Sequence, residues 1–223
     1  METKRFFKPF IGDGYSSGIN GQKVLVIGAS FYCANPDCKF YNQCTNVESK
    51  DSSFFDALCP FYESHGKQLH NEPSYCVEEL PQTYRKFAMS LAAILGVEEP
   101  EQVWNKLAFT NYCQFFLPAE NSFRPTFAAD LSNRDFDAFI ETCVELQPNI
   151  IIVWGSTINR PLLHNNPFVI DKNQLNKTDG YVCHMQLSEV THPISLVNCY
   201  HPSSRAWWGG IDEFVKYLTK EIG

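Results

Sequence analysis

The sequence predicts an α/β fold around a mainly parallel, four-stranded sheet, and two patterns carry that expectation. Four short, β-branched apolar runs each end in glycine or in a polar and aromatic stretch. Segments whose apolar residues recur at helical spacing lie between them and after the last. Strands alternating with helices bury their faces as layers on one sheet, which makes the sheet largely parallel.

In chain order, the first run is "KVLVIGAS", a buried strand that ends at Gly28 and enters a loop. From Phe31 to about Ser74 no clean period appears, and Asn, Asp, Ser, Cys and aromatic residues dominate. That stretch reads as a cysteine-rich insertion at about residues 31–76 within a single domain spanning 1–223. "VEELPQTYRKFAMSLAAILG" places Leu80, Tyr84, Phe87, Leu91, Ile94 and Leu95 at helical spacing, with Gly96 as the stop. "WNKLAFTNYCQFF" is a second strand emerging into a loop. "NRDFDAFIETCVELQ" is a helix with Phe136, Phe139, Ile140, Cys143 and Leu146 on one stripe and Ser132 or Asn133 as its cap. "PNIIIVWGST" and "HPISLVNCYH" are the third and fourth strands. An amphipathic helix carrying Ile211, Phe214, Val215 and Leu218 closes the chain.

The totals bound the function. At 223 residues the chain can bury a full core. Hydrophobic content of 44% and charged content of 19% exclude a disordered chain. No run approaches the ~18 to 20 apolar residues of a membrane span. "METKRFFKPFIGDG" lacks the apolar core of a signal peptide, so a cytoplasmic location is expected. The net charge of −7 argues against a broad basic face for duplex DNA, although a local basic patch fits inside an acidic total.

In open α/β sheets ligands sit beyond the carboxyl ends of the strands. The four ends are "GASFYC", "TNYCQFF", "WGS" and "YHPSSRAWW", each with polar or aromatic residues that a plain core strand does not need. "WGS" either caps its strand or joins the site. Taken in order, the four ends resemble the uracil-DNA glycosylase superfamily over residues 23–30 and 104–223. "VLVIGASFY" stands where that family has its water-activating loop, and "AFTNYCQFF" resembles the strand whose terminal asparagine reads the base. "IIIVWGS" is similar to its Trp-Gly-Ser strand, and "NCYHPSSRAWWGGIDEFVKYL" resembles its His-Pro-Ser loop and following helix.

The resemblance implies a three-layer sandwich and a monomeric enzyme that hydrolyses the N-glycosidic bond of uracil, or a related damaged base, in DNA. It implies no catalytic metal. His201, fixed by Pro202, would donate to uracil O2 as charge accumulates there; one preorganised donor contributes roughly 3 kcal/mol in a dry site. Asn111 would present a donor and an acceptor to the N3–H and O4 edge, which matches uracil and opposes cytosine. Gly28, Ala29, Phe31 and Tyr32 would line the base site. Phe31, Phe40 and Phe61 are the candidates to stack on the base, and Tyr32 takes the place of the side chain that excludes the thymine methyl. Ser203, Ser204 and Arg205 would hold phosphates. Trp207 or Trp208 would wedge the gap left by the flipped base, or would anchor the last helix. Many family members carry Asp or Asn in the first loop to orient the attacking water; here Ser30 stands there, a poor general base. Loss of such assistance costs ~10²- to 10⁴-fold. A binding protein on the same fold, without the chemistry, is therefore the alternative.

Nine cysteines divide into two groups. Cys113, Cys143, Cys183 and Cys199 lie in apolar stretches and are expected in the core. Cys33, Cys38, Cys44 and Cys59 follow a C-x4-C-x5-C-x14-C pattern suited to a structural zinc or an iron-sulfur cluster, with Cys76, His65 and His70 as substitute ligands. Reduced, unliganded thiols and a disulfide remain the alternatives.

Overall fold

A computed structural model describes residues 5, 7–33, 36–39, 41–45, 81–95, 97, 99–118, 133–172, 182–204 and 219. The four expected strands form its centre: β2 (Val24–Gly28), β4 (Leu107–Asn111), β6 (Ile150–Trp154) and β8 (Ile194–Cys199). The first three are buried along their whole length, which is why they read as unbroken apolar runs. All four run parallel in the order β4-β2-β6-β8, so their carboxyl ends share one edge.

The sheet is wider than the sequence predicts. It has six strands, because β1 (Phe10–Ile11) pairs antiparallel with β4 and β7 (Val182–Met185) pairs antiparallel with β8. A two-residue edge strand is too short to show a period, and β7 alternates half-buried and buried residues within a polar setting. A second, two-stranded parallel sheet joins β3 (Phe31–Cys33) to β5 (Phe116–Pro118), the segments that leave β2 and β4.

Helices pack apolar residues against both faces of the six-stranded sheet. On one face, Phe139, Cys143 and Leu146 of a helix at Asn133–Leu146 meet Leu25, Ile27, Ile151 and Leu196. On the other, Phe87, Ala88 and Leu91 of Lys86–Leu95 and Val103 and Trp104 of Pro100–Trp104 meet Val26, Phe109, Ile152 and Trp154. The helix expected near residue 84 begins with a wider π-type turn at Pro81–Arg85. Cys113, Cys143, Cys183 and Cys199 are buried, as expected. The fold is thus mixed α/β with a mostly parallel open sheet. Among the described residues no helix is long and apolar enough to cross a membrane. The expected helix at 211–218 lies outside the described residues.

Candidate functional site

Two glycines set the geometry of the carboxyl edge. Gly28 ends β2 in register with Asn111 at the end of β4, so the two residues share a face. A Cβ built on Gly28 would lie 2.4 Å from Asn111 Oδ1, which means the asparagine side chain folds inward over β2. Gly155, just past β6, has φ +76°, and a Cβ there would meet His201 Cβ at 3.3 Å. His201 therefore leans inward over the end of β6. Strands β4 and β8 are separated by β2 and β6, roughly 14 Å in all. Asn111 reaches over β2 and His201 sits against the end of β6, so the two approach from opposite sides of the β2–β6 pair. The two residues are not on neighbouring strands, yet each is seated against a glycine of the strand pair between them.

Both residues rise from the same sheet face. Alternation places Asn111 with Leu107 and Phe109, and Trp154 with Ile150 and Ile152. The Trp154 ring meets the His201 ring at 5.8 Å, with 77° between planes. Below them Tyr84, Phe109 and Trp154 pack mutually at 5.3–5.4 Å between centroids, giving an aromatic floor.

Asn111 is 4% exposed, yet no described residue hydrogen-bonds its side-chain amide. Its donor and acceptor are therefore left to bond whatever occupies the space beside it. Its backbone is by contrast firmly held, because Gln114 Nε2 donates to Asn111 O at 3.0 Å.

His201 has a defined tautomer. The Ser203 backbone N–H donates to His201 Nδ1 at 3.2 Å, and Ser203 Oγ lies 2.7 Å from the same nitrogen. A backbone N–H can only donate, so Nδ1 must accept and the proton sits on Nε2. Burial pushes the His201 pKa below its ordinary value, which keeps the ring neutral. A neutral imidazole with Nε2–H available is a hydrogen-bond donor that adds no charge to the site. The loop that carries it is anchored by Asn198, whose Nδ2 donates to Gly155 O at 2.6 Å and to Val153 O at 3.1 Å while Oδ1 accepts from Asn159 Nδ2. "WGS" thus serves as a strand cap and support for the histidine, with Ser156 exposed.

The loop after β2 is sewn to the loop after β4: Tyr112 N donates to Gly28 O and Cys113 N to Ala29 O, both at 2.9 Å. Ser30 Oγ is buried with no described partner. Phe31 is half-buried against Phe7 (4.9 Å) and Phe116 (6.3 Å). Tyr32 is described in its backbone alone, paired with Leu117. Ser203 is exposed beside His201, and Ser204 N donates to His201 O at 2.8 Å while its Oγ is buried. Arg205, Trp207, Trp208, Phe40 and Phe61 lie outside the described residues. So do Cys59, Cys76, His65 and His70, and the side chains of Cys33 and Cys44; of the cysteine pattern only the Cys38 side chain is described, half-exposed. Among the described residues no three potential ligands cluster around a metal position.

The sequence reading misses Gln114 and Asp135. Gln114 N donates to Asp135 Oδ1 at 2.8 Å, and both residues are fully buried. The available signal was a polar residue inside "NYCQFF" and an acid in the first helical turn of a buried stripe. No protein-family model matches the chain, and no curated protein matches its sequence.

Proposed function

We propose that this chain excises uracil, or a closely related damaged base, from DNA as a divergent member of the uracil-DNA glycosylase superfamily with that family's three-layer sandwich. The observation that supports the reading is the Asn111 amide, bonded by no described residue, at the same edge as a neutral His201. A ligand edge with adjacent donor and acceptor satisfies that amide, and a flipped uracil offers one at N3–H and O4. With the base so held, His201 Nε2–H would face O2. As the C1′–N1 bond breaks its electrons pass to the base, and a donor at O2 stabilises the charge that gathers there. Water adds to C1′, and its proton passes through solvent to the departing uracil anion, leaving C1′–OH on the sugar and neutral uracil. The DNA strand would lie across the exposed Ser203 and the residues after it, binding a single protein molecule through a local patch, and no metal takes part in the step.

One observation favours a second reading. Ser30 is the water-activating candidate, and no described group bonds its buried hydroxyl. A protein that binds the base without hydrolysing the bond would look the same. Excision assays on uracil-containing single- and double-stranded oligonucleotides separate the two. Base release that His201→Ala abolishes supports the enzyme. Salt-sensitive binding without release supports the binding protein. Neither release nor binding removes both.

A further inference from the structure

We infer that Gln114 is the positioning residue that aims Asn111 at the base and thereby sets its selectivity; the inference rests on the function proposed above. Asn111 is the last residue of β4, and past it the backbone N–H groups of Tyr112 and Cys113 still bond the segment leaving β2. The Asn111 carbonyl is bonded by Gln114 Nε2 at 3.0 Å and by Thr110 Oγ1 at a longer 3.3 Å. The second Nε2 proton of Gln114 reaches Tyr112 O at 3.4 Å. On its other side, Gln114 Oε1 accepts the Phe7 backbone N–H at 3.0 Å.

These partners fix the orientation of the amide without ambiguity. Two carbonyls can only accept and one N–H can only donate, so Nε2 must face residues 111 and 112 and Oε1 must face Phe7. Gln114 is 3% exposed, and its own N–H is tied to the fully buried Asp135 carboxylate at 2.8 Å. A side chain so constrained has one rotamer and no water to compete for its bonds.

The clamp joins two parts of the crevice. Through Nε2 it fixes the backbone from which the Asn111 side chain reaches over Gly28. Through Oε1 it fixes the segment whose Phe7 ring packs edge-on against Phe31 and Phe116. Nothing in a strand-to-loop turn requires a buried glutamine with three backbone partners. The arrangement instead removes freedom from Asn111, whose side-chain amide no described residue bonds. Discrimination by a donor and acceptor pair depends on its aim, and a 1 Å displacement is enough to lose ~10²-fold.

The test uses Gln114→Met, which keeps size and removes the hydrogen bonds, and Gln114→Glu, which keeps an acceptor for Phe7 and removes both donors to residues 111 and 112. In each folded variant the uracil-over-cytosine ratio, in excision or in binding, is expected to fall at least tenfold. The same substitutions in an Asn111→Ala background should change that ratio less than twofold, because the effect passes through Asn111. A purely structural glutamine would lower the melting temperature and leave the ratio untouched, and that result overturns the inference. A wild-type protein with no uracil activity or binding refutes the functional reading instead. The inference then stands or falls on the Asn111 side-chain amide resonances in ¹⁵N NMR, assigned by their loss in Asn111→Ala. They are expected to shift and broaden in Gln114→Met, and unchanged resonances in a folded variant contradict the clamp. If neither variant folds, hydrogen exchange of the Gln114 side-chain amide in the wild-type protein decides: slow exchange is expected, and exchange as fast as an exposed glutamine overturns the proposal.

Discussion

Gly28→Ala separates the stability of the fold from the geometry of the crevice. The added methyl would sit 2.4 Å from Asn111 Oδ1, 3.5 Å from its Cγ and 3.3 Å from Phe109 Cζ. An ordinary carbon–oxygen contact is longer than the first of these by about 1 Å, so the Asn111 amide must swing away. The colliding atom is the end of a side chain with no described hydrogen bond to lose, and Phe109 need give only slightly. Overpacking of this kind costs about 1–3 kcal/mol, and replacing a strand glycine returns up to ~1 kcal/mol from the unfolded chain. For a chain of this size the net change is a melting-temperature drop of roughly 2–8 °C, which leaves the protein folded at 25 °C. The displaced amide, by contrast, loses ~10²-fold in uracil excision or affinity. Thermal melts by circular dichroism and excision kinetics on one uracil oligonucleotide read both quantities. A Gly28→Ala protein with wild-type excision would refute the idea that Asn111 reaches over β2 to meet the base.

Three further outcomes follow from the same geometry. Folded His201 has a pKa below 6.5, so its neutral form is favoured by folding. Its contribution is complete above pH 6.5 and is lost as pH falls through the lowered value, because the unfolded chain then binds the extra proton. Excision should be level above pH 6.5 and decline on the acid side with a midpoint below 6.5; a midpoint above it contradicts the burial that favours the neutral ring. Asp135→Ala removes a buried carboxylate that accepts from Gln114 N and lies 3.3 Å from Arg134 Nη2, and should cost ~3 kcal/mol, or a melting-temperature fall near 10 °C. A fall under about 2 °C would show that the carboxylate is not organising the loop. Burial raises the thiol pKa of Cys143 and Cys199, and that of Cys183 to about 12. Peptide mapping after native iodoacetamide treatment at pH 8 should find these three and Cys113 labelled far more slowly than Cys38; equal rates would contradict the packing.

The parts of the fold legible in the sequence are those whose physics is local. β2, β4 and β6 are buried on both faces, and such strands appear as apolar runs whatever surrounds them. Their order in the sheet was not legible, and β2 and β6 lie between the strands that lead to Asn111 and His201. β1 and β7 escaped because an edge strand borrows its conformation from its neighbour. Asn111 and His201 were legible as polar residues at strand ends. Gln114, Asn198 and Asp135 were not, because their roles consist of bonds to backbone atoms far along the chain, such as Phe7 N and Gly155 O. "WGS" read equally as a strand cap or a site element; the value of Gly155 is the space it leaves for His201.

The most direct measurement is a crystal structure of the protein soaked with free uracil. The account predicts the base on the crevice between β2 and β6, with its N3–H and O4 edge on the Asn111 amide and O2 within hydrogen-bond reach of His201 Nε2. The Tyr84, Phe109 and Trp154 floor should lie beneath, and Asn111→Ala crystals soaked alike should be empty. Uracil bound elsewhere, or bound equally in the Asn111→Ala crystals, would contradict the account.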